Sequence, residues 1–329
     1  MTALRKEHRL AGQGAIFLCA VLWSTSGLFI KLVDWHPILI AGGRSFIAAL
    51  FMGGIRLLSG RRIRAIRKAG TDAGGIHAGG VRAGGVRAGG GLSGKRAFSV
   101  WAGGIAYAVT MLSFVIANKL TASANAILLQ YSAPVWAAVL GWLLVKEKPR
   151  WDHWGALVLV MLGMLLFFKD GLAGGALLGD ALAVFSGICF GANSVFMRMG
   201  KEGNPADAML LSHIITAVFS IPFFFAYPPA LTPGSAGAIL FMGIFQIGCA
   251  SLLFSYGIRR VRAVQAMLTA MIEPVLNPVW VLLITRERPA AEALAGGGVI
   301  VAAVIISSLI GKHREIREAA AGSPRGISP

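Results

Sequence analysis

Residues Val264–Ile284 read VQAMLTAMIEPVLNPVWVLLI. The run is long enough to cross the hydrocarbon core of a bilayer, which takes about 20 residues as a helix. It carries a single ionisable side chain, Glu273, followed at once by Pro274 and then by Asn277 and Pro278. A charge at that depth costs about 3 kcal/mol even on lenient insertion scales, so it faces a cavity or a partner rather than lipid. Each proline removes a backbone donor, and a kink is expected there.

The rest of the chain is built alike. Hydrophobic residues make up 56% and charged residues 14%, with a mean hydropathy of +0.71. A soluble domain would carry roughly a quarter charged residues. Ten apolar runs of spanning length follow one another, at about 12–31, 37–57, 98–118, 121–145, 153–169, 176–198, 206–226, 235–257, 263–284 and 292–311. Barrel strands would be alternating segments of about ten residues, so the expected fold is an all-α integral membrane protein with ten transmembrane helices.

The net charge of +17 reflects topology rather than affinity for nucleic acid. With the N-terminus in the cytoplasm, 25 of the 31 Lys and Arg fall on the cytoplasmic side, five fall outside, and Arg44 alone lies within a span. That distribution obeys the positive-inside rule and puts both termini in the cytoplasm. The run Gly14–Ile30 lacks a small-x-small cleavage pattern and reads as a retained first helix. Cys19, Cys189 and Cys249 fall in separate spans and read as packing residues, with no zinc or disulfide spacing.

Residues 59–97 differ in kind. Arg61, Arg62, Arg64, Arg67 and Lys68 precede a five-residue repeat, AGGIH (73–77), AGGVR (78–82), AGGVR (83–87) and AGGGL (88–92). Such composition offers little apolar surface to bury, and a flexible basic cytoplasmic loop near anionic lipid is expected over 59–97.

The two halves resemble each other. A shift of 140 lays Ala124–Pro149 on Val264–Pro289 without a gap, matching Ala126 to Ala266, Leu128 to Leu268, Pro134 to Pro274 and Glu147 to Glu287. Trp23, Phe29 and Lys31 match Phe190, Phe196 and Arg198 more weakly. The expected organisation is a tail at 1–11, one five-helix repeat at 12–170, a second at 175–311 and a tail at 312–329. Five is odd, so the copies cross the membrane in opposite senses. Inverted repeats build many secondary transporters, with the substrate site near the midplane.

These features together resemble the EamA-type branch of the drug/metabolite transporter superfamily. The resemblance rests on Asn118-Lys119-Leu120-Thr121, on Ala126-Ile127-Leu128-Leu129-Gln130-Tyr131-Ser132-Ala133-Pro134, and on Glu273-Pro274. It extends to Trp23-Ser24-Thr25-Ser26 and Arg44-Ser45-Phe46. The family commonly carries glycine before the glutamate that ends spans 4 and 9; Lys146 and Arg286 stand there in this chain. The resemblance implies export or uptake of small metabolites such as amino acids, without ATP.

The candidate site follows from intramembrane polarity. Glu273 lies about 15 Å along its helix from the cytoplasmic end, near the midplane. It binds an amine, carries a proton, or braces the kink. Asn277 is one turn away on the same face. Arg44 either snorkels to the outer surface, pairs with Glu273, or attracts the carboxylate of an amino-acid-like ligand. Trp23 and Ser24 in span 1, Gln130 and Tyr131 in span 4, Asn193 in span 6 and Gln246 in span 8 complete a polar lining at mid-depth. Pro134, Pro274 and Pro278 are the expected hinges. His213 reads as a packing residue with one bonded nitrogen, and Gly187 with Gly191 as a close helix contact. Spans 5 and 10 carry few polar groups and read as peripheral.

No protease motif, metal-ligand spacing or P-loop is present, so neither an enzyme nor ATP coupling is expected. The reading is a secondary carrier without cofactor or metal in the bacterial inner (plasma) membrane, working by alternating access with its two halves rocking. Its partners are a small-molecule substrate, membrane lipids and, as a candidate coupling ion, the proton; a monomer suffices. The alternative is an uncoupled facilitator or channel for small polar metabolites.

Overall fold

A computed structural model describes residues 2–25, 29–30, 33–72, 94–121, 123–167, 177–285 and 291–321. The helices are α1 (Thr2–Ser24), α2 (Pro37–Asp72), α3 (Gly94–Leu120), α4 (Ser123–Gln130), α5 (Ala133–Val145) and α6 (Trp151–Phe167). They continue as α7 (Leu177–Met199), α8 (Ala206–Ala226), α9 (Pro233–Ile258), α10 (Ala263–Ala270), α11 (Ile272–Thr285) and α12 (Ala291–Ala321). There is no strand among the described residues. Six helical segments are long and apolar enough to cross a membrane, and four shorter apolar helices accompany them at Leu10–Ser24, Trp151–Leu166, Ala263–Leu276 and Leu294–Ile310. Large apolar side chains such as Leu50, Val158, Val218, Phe225 and Leu309 point outward, as a lipid-facing surface requires. Trp101, Trp142, Trp151 and Trp154 are exposed near helix ends.

The basic loop is only partly a loop. Helix α2 runs for 36 residues, about 54 Å at the usual rise, and carries the chain through Arg61–Lys68 to Asp72. The segment RRIRAIRKA contains good helix formers and no glycine, so its charge does not interrupt the helix. Residues 94–97 likewise belong to α3. The glycine repeat, 73–93, lies outside the described residues. Helix α1 starts at Thr2 and α12 continues to Ala321.

The helical hydrogen bonding is interrupted at two places just before the prolines, although the backbone at Ser132 and Met271 stays in the right-handed helical region. The proline ring clashes with the carbonyl four residues back. For Pro134 that residue is Gln130, the last of α4; for Pro274 it is Ala270, the last of α10. Tyr131 and Ser132 form the first break and Met271 the second. The chain leaves each helix on tight three-residue bonds, Ser132 N–H to Leu129 O at 3.2 Å and Met271 N–H to Leu268 O at 3.2 Å. Each proline then sits in the first turn of the next helix, where its missing N–H has no intrahelical partner to lose. Pro134 and Pro274 therefore lie just past the two interruptions, in the first turn of the helices that follow. The Pro278 side chain is outside the described part.

Helix α9 holds a feature absent from the sequence reading. Met242–Cys249 is a π-helical turn. Gly243 within it presses on α2, where an added Cβ would meet the Ile47 side chain and lie 3.0 Å from Arg44 O; at Gly248 it would lie 2.7 Å from the Phe51 ring. The turn widens α9 where its backbone approaches α2 most closely.

Packing does not follow the sequence halves. Helix α7 lies mainly against α3 and the α4–α5 pair, and α8 joins that group through α3. Helix α1 lies mainly against α9, α10 and α11, and α2 joins that group through α9. Two bundles result, one of α3, α4, α5, α7 and α8, the other of α1, α2, α9, α10 and α11, joined along the α2–α8 contact. Helices from the two sequence halves therefore interleave in each group. The reason is local fit. Without side chains, Gly187 and Gly191 of α7 reach the backbone of the broken helix, where a Cβ would lie 2.7 Å from Gln130 O and 2.7 Å from Ala133 O. Gly191→Val drives a branched side chain into that backbone; it is expected to cost about 1–3 kcal/mol, read as a lower Tm of the purified protein in detergent. Helices α6 and α12 pair outside both bundles, with Gly163 closed against Gly296 O and Ile300.

Candidate functional site

The two helix breaks face each other across the bundles. Glu273 occupies the first turn of α11, just past the Met271 break, and Tyr131 lies within the α4–α5 break. Tyr131 and Glu273 lie within electrostatic reach of one another across these two sites. The N-terminus of α11 adds the positive end of a helix dipole beneath that carboxylate. Breaking a helix at mid-depth frees backbone groups and makes a polar site possible there.

Arg44 is turned inward rather than to the outer surface. Its Nη2 lies 3.7 Å from Met111 Sδ on α3, and its Nε has no hydrogen-bond partner. Arg44 and Glu273 act on one another through space without forming an ion pair. Both are surrounded by protein, yet neither is fully buried by accessible surface. Tyr107, Cys19 and Tyr131 share the electrostatic neighbourhood of Glu273.

Other candidates take up definite places. Trp23 is buried, with its ring 5.9 Å from Phe190 and 5.6 Å from Phe254. Gln246 in the π turn donates to Trp23 O at 3.4 Å, while its Oε1 is buried without a partner. Ser24 donates to Val21 O at 2.7 Å and accepts from Trp280 Nε1 at 2.7 Å, tying α1 to α11. Gln130 donates to Ser186 Oγ at 2.8 Å, and Asn193 donates to Gly103 O at 2.9 Å. Asn193 thus sits in the α3–α7 seam, apart from Glu273, although its Oδ1 is unpartnered. His213 is buried with Nε2 2.9 Å from Ser251 Oγ, the one-bonded packing role expected of it. The Asn277 side chain is outside the described part. No group of three or more metal-ligating side chains occurs among the described residues.

Tyr107 was missed by the sequence reading. It is 2% exposed and borders both Phe190 and His213. Its signal was available: a single phenol in the apolar stretch GGIAYAVTML of the third span.

The sequence profile of the EamA-like transporter family matches residues 10–169 and 177–309. The chain belongs to the EamA-like transporter family. An EamA-like chain is a membrane transporter, not an enzyme, and this one is an integral membrane protein. It is 25% identical over 193 residues to an uncharacterized transporter, YwfM, of Bacillus subtilis, covering 57% of this chain and 65% of that protein, just under two thirds. It is 25% identical over 203 residues to an uncharacterized transporter of Archaeoglobus fulgidus, covering 60% of this chain and 72% of that one. A solved crystal structure shares the fold with a TM-score of 0.71 at 19% identity, covering 94% of this chain and 99% of the other. The structure also accounts for the EamA-type glycine before the span-ending glutamate. Lys146 closes α5 at φ 60°, ψ 21°, and among the described residues it is the one non-glycine at positive φ. Glycine reaches that conformation without the Cβ penalty. Lys146→Gly is expected to keep or raise stability, by up to about 1 kcal/mol of relieved strain, read as an unchanged or higher Tm in detergent.

Proposed function

We propose that this EamA-like protein is a secondary carrier that moves a small amine-bearing, amino-acid-like metabolite by alternating access. The proposed membrane is the bacterial inner (plasma) membrane, with both termini cytoplasmic and residues 12–170 and 175–311 as inverted five-helix repeats. The observation that carries the reading is the meeting of two broken helices at one carboxylate, with an unpaired guanidinium nearby. An ammonium group is a natural partner for Glu273, and a carboxylate for Arg44. Gln246 Oε1 and the Trp23 face border the same region, and Asn277 belongs to the proposed lining. Breaks at equivalent positions 140 residues apart support the inverted repeat.

Purified protein in liposomes tests the reading. Saturable uptake and counterflow of labelled amino acids or amines are expected, and accumulation driven by an imposed proton gradient marks Glu273 as a proton carrier. Flux without saturation or counterflow identifies a channel and overturns the carrier. Impermeant labelling of cysteines placed in equivalent loops of the two repeats tests the inversion, which requires opposite sides.

A further inference from the structure

We propose that Arg198 is a gate latch, holding the two interleaved bundles shut at the basic end of the molecule. Arg198 ends α7, in the bundle of α3, α4, α5, α7 and α8. Its Nε donates to Glu147 Oε1 at 2.8 Å, within that same bundle. Its Nη1 reaches across to the other bundle, donating to Ile258 O at 3.1 Å and Arg259 O at 2.7 Å at the C-terminus of α9. Those carbonyls are the unsatisfied, negative end of a helix dipole, where a guanidinium binds well. Arg262, ahead of α10, donates in return to Lys148 O at 3.1 Å. Arg56 of α2 pairs with Asp207 of α8 at the same end.

The ties described at the opposite end are of another kind: Trp35 Nε1 donates to Ala230 O at 2.8 Å, and the His36 ring stacks on Tyr227 at 4.6 Å. Among the described residues no ion pair crosses between the bundles there, and the Arg44–Met111 contact inside is weak. The half-helices agree. On the basic side α5 packs on α10 through small residues, with Ala133, Ala137, Ala263, Ala266 and Ala270 all buried. On the far side, among the described residues, α4 and α11 share no interface comparable to that of α5 on α10. The closed seam between Glu273 and the basic end is therefore a thin alanine contact, and the Arg198 fork is the strongest directional bond across it. Glu147 orients the guanidinium rather than bridging the bundles itself. Releasing Arg198 frees α5 from α10 and opens the site to the basic side, which is the cytoplasm in the proposed orientation.

The inference rests on the alternating-access reading, and its test needs no substrate. Ala266→Cys, in a chain with Cys19, Cys189 and Cys249 replaced by serine, places a thiol in the seam. Its reaction with an impermeant maleimide is followed in vesicles of both orientations, with a second reporter at Tyr131→Cys beside Glu273. Arg198→Gln is expected to speed labelling of the Ala266→Cys thiol from the basic side by about tenfold, as loss of a charge-assisted bond predicts. It should slow labelling of the Tyr131→Cys thiol from the far side. Glu147→Gln, which keeps the arginine, should act in the same direction more weakly, and it supplies the readout if Arg198→Gln does not reach the membrane. Unchanged rates, or equal acceleration from both sides, overturn the latch. A failed carrier reading would look different, as reciprocal labelling with no saturable flux in the wild-type protein.

Discussion

Glu273→Gln is expected to reduce transport by about 10- to 100-fold, the weight of a buried charge-assisted contact to the substrate or of a lost proton site. The substitution keeps shape and keeps one oxygen within electrostatic reach of Tyr131. It also exchanges a charged group for a neutral amide inside the membrane, so stability should not fall. Initial uptake rates in proteoliposomes, set beside Tm, separate the roles. Wild-type rates in the Gln variant would show that the carboxylate only braces the break. Tyr131→Phe, which removes the hydroxyl from the same pair, should lower transport by about tenfold.

Arg44→Gln is expected to weaken uptake of carboxylate-bearing substrates by about 10- to 100-fold while leaving simple amines within about threefold. The asymmetry follows from geometry. Arg44 forms no ion pair with Glu273 and leaves Nε unpartnered, so a guanidinium donor is free for an anion. Gln keeps a donor and length but not the fork that a carboxylate takes. Competition between labelled substrate and amino acids or their decarboxylated amines measures the two effects in one assay. Equal losses for both classes would assign Arg44 to structure.

The polar residues of the site were legible because a membrane makes them expensive. Glu273 and Arg44 stand out in any apolar run for that reason. Tyr131 was legible beside Pro134, and the proline pair marked both breaks. The exact place of each break was not read, since attention to the missing N–H drew the bend to the proline itself. The ring's clash with Gln130 O and Ala270 O moves it two to three residues earlier. The π turn at Met242–Cys249 had only Gly243 and Gly248 as a sign, because a widened turn depends on what packs against it. Arg61–Lys68 misled in the other direction: charge suggested a loop, and helix propensity decided otherwise.

By itself, the chain determined its solvent, its helices and its one acid at mid-depth. Hydrophobicity and charge placement are properties of residues one at a time, and a bilayer sorts residues on that basis. Which helices travel together was decided only in three dimensions. Glycine-to-backbone contacts such as Gly191 on Ala133 bind α7 to a helix from the other half of the sequence, and Arg198 finds its carbonyls on α9, about sixty positions away. Close fit between surfaces is a property of pairs, and no single residue carries it.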